Sequence, residues 1–303
     1  MINAIITADW HLRSQKPRCR LDDNWIATQQ NALDQIIEYA RKRNADVIVV
    51  GDIFHSTNET TNEVIGMVQG FAQVLRDFDR SLYILAGNHD LPQHNLDNIH
   101  RAAIGLLHKS RNIYRIQNYP GPQEKNYISA ANFGAEDNTN ARFVFKHILC
   151  FPENEKIPPG AQVVTPSQLF EQFPKADCIF TGDYHRHFVA KNGGQKLFNP
   201  GCILRQTADM LDYQPSVIHF AHNTSESVCY ETERLYIVDN DALVTNEYLE
   251  REEERVERIE AFIEKVKANG EITFDFLENV KNRLNENKFD DGIKRAILEL
   301  LEG

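Results

Sequence analysis

Five apolar runs that each end in an acid, an amide or an imidazole constrain this chain more than anything else in it. Residues 2–8 lead into Asp9-Trp10-His11, 47–50 into Gly51-Asp52 and 82–86 into Gly87-Asn88-His89-Asp90. Residues 143–145 lead into Lys146-His147, and 178–180 into Gly182-Asp183-Tyr184-His185. Short apolar runs bounded by turn residues read as strands buried on both faces. Five such strand ends carrying ligating groups predict one convergent site.

The order of elements supports the same layout. Residues 24–43 and 60–77 carry apolar residues at helical spacing, with Ile26, Leu33, Ile36, Ile37 and Ala40 in the first. Asp22 or Asp23 caps the first in this reading. Strand, helix, strand, helix, strand is the signature of parallel pairing. After a helix-compatible stretch at 96–108, the chain reads as short strands at 113–116, 127–133, 143–150, 178–180, 196–198 and 217–220, with a strand pair at 228–238. Asn192-Gly193-Gly194-Gln195 is a hairpin turn. Residues 151–162 hold three prolines and no periodicity, so they read as a loop. From about 243 the character changes to charged helices, with Leu249, Val256, Ile259, Ile263 and Val266 on one face of the first. The expected domains are 1–242 and 243–303.

Hydrophobic residues at 42% and charged residues at 25% of 303 are an ordinary globular mix. No apolar run reaches membrane-helix length, and the first residues lack the basic and apolar regions of a signal peptide. The cytoplasm and no membrane are therefore expected. The five cysteines are scattered and never form a CxxC pair, which argues against disulfides and structural zinc. A net charge of −11 means that nucleic acid must find local positive charge. The loop after His11 supplies some, in Arg13, Lys16, Arg18 and Arg20.

Carboxylate, imidazole and amide donors without cysteine suit Mn, Fe, Zn or a mixed pair. On an extended segment, Asp-x-His places both side chains on one face, which applies to Asp9 with His11 and to Asp183 with His185. With Asp52, Asn88 and His147 these make seven candidate ligands, too many for one ion and suited to two. Asp90 is read as the hydrogen-bond partner that fixes the His89 ring.

The order Asp-x-His, Gly-Asp, Gly-Asn-His-Asp, His, Gly-x-x-His resembles the calcineurin-like metallophosphoesterase superfamily. Within it the chain is most similar to SbcD-type double-strand-break repair nuclease subunits and their bacteriophage recombination counterparts. His55 three residues after Asp52, Asp22-Asp23-Asn24-Trp25 at the first helix, His185-Arg186, and the segment Asn199-Pro200-Gly201-Cys202-Ile203-Leu204-Arg205 carry that second likeness. The resemblance covers about residues 1–240. It implies an α/β fold, a β-sandwich flanked by helices, with a small helical C-terminal region. It implies a first metal on Asp9, His11 and His185, a bridging Asp52, and a second metal on Asn88, His147 and Asp183. His89 then stabilises the transition state or protonates the leaving oxygen, and His55 orients substrate. Arg13, Lys16, Arg18, Arg20 and Arg205 are the candidate substrate contacts. The family usually has His where this chain has Asp183, and usually Ser where it has Cys202. The extra carboxylate predicts a harder site, favouring Mn or Mg.

The activity implied is DNA exonuclease or endonuclease, a metal-bridging hydroxide hydrolysing phosphodiesters in recombination or repair. A phosphomonoesterase or protein phosphatase on the same site, and an inactive scaffold, are the alternatives. DNA, an SMC-like coiled-coil ATPase subunit and a second copy of the chain are the expected partners.

Overall fold

The computed structural model describes residues 2–245 apart from 59, 120–126, 154, 156, 158–161, 223–229 and 241–243, and beyond them residues 247, 284 and 294. The chain divides into two compact units, Met1–Thr245 and Asn246–Gly303. The helices expected past 243 and Cys229 fall outside the described residues. Among the described residues, no helix is long and apolar enough to cross a membrane.

The chain opens with four parallel strands: β1 (Ile2–Thr7), β2 (Asp46–Val50), β3 (Leu82–Leu85) and β4 (Ile113–Arg115). A second sheet follows from β5 (Ile128–Ala131), β6 (Phe143–His147), β7 (Cys178–Gly182), β8 (Phe188–Asn192) and β9 (Gln195–Asn199), ordered β5-β6-β7-β9-β8. Its β8–β9 hairpin turns where Gly193 takes a positive φ of 57°. The chain then returns to the first sheet, where β10 (Ser216–His222) pairs antiparallel with β1 and β11 (Tyr230–Tyr236) with β10. The strand pair expected over 228–238 is thus one strand; its partner is β10 rather than a second strand of its own.

Alternation within β2 shows why the first runs are continuously apolar. Val47 and Val49 face the helices α1 (Trp25–Arg43) and α2 (Asn62–Arg76), while Ile48 and Val50 face the second sheet. Between the sheets lie Ile6, Leu85, Phe143, Phe145, Phe180, Phe198 and Phe220. A short α3 (Ala103–Leu107) packs with the first layer, and α4 (Pro166–Gln172) covers the outer face of the second sheet through Leu169 and Phe170. The result is a helix-flanked two-sheet sandwich, as the sequence led one to expect.

Three local details differ. The cap of α1 is Asn24, whose side chain accepts from the Ala27 N–H at 3.1 Å; Asp22 is instead committed to Arg20 and Thr28. The stretch 96–108 is two helices, because Ala102 is extended (φ −100°, ψ 160°) between a 3-10 segment Leu96–Arg101 and α3. Helix α4 went unforeseen, although Thr165, Pro166 and Gln168 form a capping box with proline in the first turn.

Phe180 stacks on Phe145 (centroids 4.9 Å) and Phe198 (5.5 Å) and meets Phe220 edge-on (5.0 Å). Truncating it opens a cavity between the sheets. Phe180→Ala should cost about 3–5 kcal/mol in denaturant unfolding, and a loss below about 1 kcal/mol would show that this contact does not hold the sheets together.

Candidate metal centre

Five strand ends converge at the carboxyl side of β1, β2, β3, β6 and β7, three from one sheet and two from the other. Asp9, His11, Asp52, His147 and Asp90 are buried there, with Asn88, His89, Asp183 and His185 half-buried. Asp9, His11 and His185 each bring one ligand atom within 4.8 Å of the others, and so do Asp9, Asp52 and His147.

The hydrogen bonds show what these groups lack. His147 Nδ1 lies 2.8 Å from the Val50 carbonyl, which can only accept, so Nδ1 carries the proton. That turns His147 Nε2 toward Asn88 Oδ1 (2.9 Å) and Asp52 Oδ2 (3.3 Å). Across the site, His11 Nε2 is 3.0 Å from His185 Nε2 and 3.7 Å from Asp52 Oδ2. Asp52 Oδ2 is buried with no hydrogen-bond donor. Nitrogen and oxygen lone pairs thus converge on a carboxylate oxygen that no hydrogen bond satisfies among the described residues, and an unpaired buried charge is costly. The donor set fits cations.

Without a cation among these groups, a proton on His147 is what balances the Asp52 charge. Burial would raise the Asp52 pKa, but His147, and then His11, hold it well below the usual carboxylate value. Burial works against charge on His147, yet Asp52 beside it raises that imidazole well above its ordinary pKa. Burial lowers the pKa of His11 and His185, leaving neutral imidazoles with free lone pairs.

Backbone geometry differs from the extended Asp-x-His clamp expected. β1 stops at Thr7 and β7 at Gly182, and Asp9 (φ 51°), His11 (φ 45°), Asp52 (φ 52°) and Asp183 (φ 88°) all take left-handed conformations. Left-handed turns, not strand alternation, aim these side chains. Such backbone costs of order 1 kcal/mol or more per residue and persists where its surroundings enforce it. Here Asp9 and His11 N–H donate to the Gly51 and Asp52 carbonyls (3.1 and 3.0 Å), and Asp183 N–H donates to Asp9 Oδ1 (2.9 Å).

Asp90 does not hold the ring of His89. Its carboxylate accepts from the Phe54, Gly87 and Ile53 N–H groups (2.9, 3.0 and 3.2 Å), stapling the loop after Asp52 to its own turn. Burial, with Asp52 nearby, pushes it up to about 7. The His89 ring is fixed instead by Nδ1 donating to the His55 carbonyl at 2.6 Å, and its backbone N–H donates to Asp52 Oδ1 at 2.9 Å. The rings of His55 and His89 stack at 5.7 Å.

Two predicted substrate contacts point inward. Arg20 and Arg205 are each only 2% exposed and converge on Asp239. Arg20 pairs with Asp22 at 2.7 Å and Asp239 at 2.9 Å, and Arg205 pairs with Asp239 at 3.1 Å. Burying a guanidinium requires such pairing, and neither cation is presented to a ligand. Lys16 and Arg18 are exposed and Arg13 half-buried on the loop beside His11. Trp10 and Trp25 are buried packing residues, and Cys202 is buried with Sγ 3.0 Å from the Leu204 carbonyl. The four described cysteines, Cys19, Cys150, Cys178 and Cys202, are free.

Sequence reasoning missed Gln206, whose Nε2 donates to the Trp10 and His11 carbonyls (3.1 and 3.3 Å). It also missed Asp239 as the node between Arg20 and Arg205. Asp239 lies 219 and 34 residues from its partners, so no local pattern reveals it.

The fold and this donor set define a helix-flanked sandwich with a candidate metal centre at its strand ends. A family model described as calcineurin-like phosphoesterase matches residues 2–236, and the chain belongs to that family. The family binds two divalent metal ions, and the clusters above are the candidate ligands. Exonuclease subunit 1 of Enterobacteria phage T4 is 33% identical over 108 residues, a match spanning 35% of this chain and 30% of that protein. Among solved structures, a dimetal phosphatase from Danio rerio aligns over 79% of this chain and 99% of its own (10% identity, TM-score 0.45). An archaeal phosphodiesterase aligns over 77% and 100% (15% identity, TM-score 0.36).

Two tests follow from the packing. A Cβ on Gly87 would lie 2.1 Å from Asp52 Oδ1, whereas one on Gly66, in α2, would meet nothing within 4 Å. Gly87→Ala should lose bound metal in equilibrium dialysis, while Gly66→Ala should keep it and gain about 0.4–1 kcal/mol of stability; equal metal content in both would contradict the geometry. Asp239→Ala leaves two buried guanidinium groups short of a partner and should cost about 3–5 kcal/mol in denaturant unfolding. A loss no larger than that of Val238→Ala, at a position 78% exposed, would argue against the node.

Proposed function

We propose that the chain is a dinuclear-metal-dependent nuclease that hydrolyses DNA phosphodiesters in recombination or repair. The observation that carries this reading is the orphaned Asp52 oxygen at the centre of converging lone pairs from His11, His185, His147 and Asn88. Similarity to a phage exonuclease subunit supports nuclease over phosphatase.

Asp9, His11 and His185 would hold one ion, Asn88, His147 and Asp183 the other, with Asp52 shared. Asp183, a carboxylate where the family usually has an imidazole, favours Mn or Mg. When bound, two such ions lower the pKa of a water and neutralise charge on the phosphoryl group. The protein supplies the rest. Asp90 and the Val50 carbonyl keep the ligand-bearing loops in register. His89 has its Nδ1–H committed to the His55 carbonyl, so Nε2 is the nitrogen left for substrate, and as the imidazolium it donates to a phosphoryl or leaving oxygen. His55, stacked on it, orients the substrate phosphate. Lys16 and Arg18, with Arg13, belong to the loop that follows His11 and would contact DNA phosphates, giving salt-dependent binding. A second subunit, an SMC-like coiled-coil ATPase or another copy of this chain, completes the proposed assembly. The cytoplasm is its proposed location.

The test is digestion of end-labelled single- and double-stranded DNA with Mn, beside a phosphomonoesterase assay. Wild type should degrade DNA, with Asp52→Asn and His89→Ala each slower by at least about 100-fold and His89→Ala retaining its metal. Hydrolysis of monoesters with no DNA cleavage would replace the nuclease reading by a phosphatase, and wild-type turnover in His89→Ala would remove its assigned role.

A further inference from the structure

A cavity of about 520 Å³ opens beside the centre, and Asp183 and His185 belong to both. A ligand held at the cluster and a group lodged in the cavity would therefore be contiguous. Its other walls divide into two kinds of surface.

The first kind is apolar and aromatic. Met210 and Tyr184 are buried, and Leu149 and Phe151 are half-buried around them. Phe151 is braced against the Tyr184 ring (centroids 5.0 Å), which in turn meets Phe188 edge-on at 5.5 Å. This supported edge is suited to a flat ring, since aromatic side chains are stacking platforms for bases. Binding cavities of this size commonly join apolar walls to a few polar groups.

The second kind is acidic. Glu155, Asp209 and Asp212 line the cavity with one guanidinium, Arg186, and that is already committed to Asp212 (2.7 and 3.2 Å) and to the Asp209 carbonyl. Glu155 accepts from the Tyr184 hydroxyl. A second phosphate would face three carboxylates and one spent cation, and would be repelled. A neutral base would not. Ionised carboxylates only accept hydrogen bonds, so they suit the amino groups of adenine, cytosine or guanine better than the carbonyl-rich edge of thymine.

We infer that this cavity seats the nucleobase adjoining the phosphate at the metal centre, and favours bases bearing an exocyclic amino group. The inference rests on the phosphodiesterase reading above and adds to it the part of the substrate that the centre itself does not contact. Phe151 is the stacking surface, and Asp209 and Glu155 supply the acceptors.

The experiment is calorimetric titration of the full chain, loaded with Mn, using inorganic phosphate, 2-deoxyribose 5-phosphate, dAMP, dCMP and dTMP. Phosphate and deoxyribose phosphate should bind with similar affinity. dAMP and dCMP should bind about tenfold tighter or more, the gain that base stacking on an aromatic residue provides, and dTMP more weakly than either. Phe151→Ala should remove that gain while leaving phosphate affinity within about twofold, and Leu149→Ala, a second wall of the same cavity, should reduce it. Asp209→Asn should narrow the gap between dAMP and dTMP. Nucleotides binding no tighter than phosphate, or Phe151→Ala weakening phosphate and dAMP equally, would overturn the subsite. Equal affinities for dAMP and dTMP would overturn the base preference. Failure of phosphate itself to bind would contradict the metal-centre reading, and this inference with it.

Discussion

The structure depends on one electrostatic conflict. His11, Asp52, Asn88, His147 and His185 aim lone pairs at each other over 2.9–3.7 Å. Among the described residues Asp52 Oδ2 makes no hydrogen bond, and the nearest nitrogen, His147 Nε2 at 3.3 Å, relieves the conflict only when protonated. Groups of this kind separate or recruit water unless a cation lies among them. The stability of the region is therefore linked to what binds there, because a cation that binds the folded site and not the unfolded chain stabilises the fold.

The sandwich makes that conflict sustainable. Two sheets packed through Phe143, Phe145, Phe180 and Phe220 bring the ends of β1, β2 and β3 against those of β6 and β7. Left-handed turns at Asp9, His11, Asp52 and Asp183 then point donors inward. Three devices enforce them: the Asp90 carboxylate across three backbone N–H groups, Gln206 on the Trp10 and His11 carbonyls, and glycines where a side chain would collide with a ligand. At Gly51 both conditions apply, since its φ is +86° and an added Cβ would lie 2.2 Å from His147 Nδ1. Behind them the Arg20–Asp239–Arg205 node fastens the loop after His11 to the segment that carries Gln206.

Much of this was legible in the sequence because strand period and strand ends are local signals. The apolar runs located β1, β2, β3, β6 and β7, and of the residues closing them Asp9, His11, Asp52, Asn88, His147 and His185 lie together, while Asp183 is in none of the ligand clusters. What stayed hidden has a common cause. The Ile53 and Phe54 N–H partners of Asp90, and Asp239 as the shared partner of Arg20 and Arg205, lie tens to hundreds of positions away. A basic loop and a solvated one look alike in sequence, so Arg20 read as a substrate contact although its charge is spent inside. The extended Asp-x-His clamp was misjudged for another reason: Asp and His tolerate left-handed backbone, and spacing alone does not show whether a strand continues or turns. Helix α4 was missed although its capping box was present, because it follows a proline-rich stretch.

A dinuclear centre requires two ions to share Asp52, and anomalous diffraction from crystals soaked in Mn tests that most directly. Two anomalous peaks should appear, one against Asp9, His11 and His185 and one against Asn88 and His147, both in contact with the Asp52 carboxylate, with Asp183 reaching the second. A single peak, or peaks that leave Asp52 untouched, would contradict the dinuclear centre.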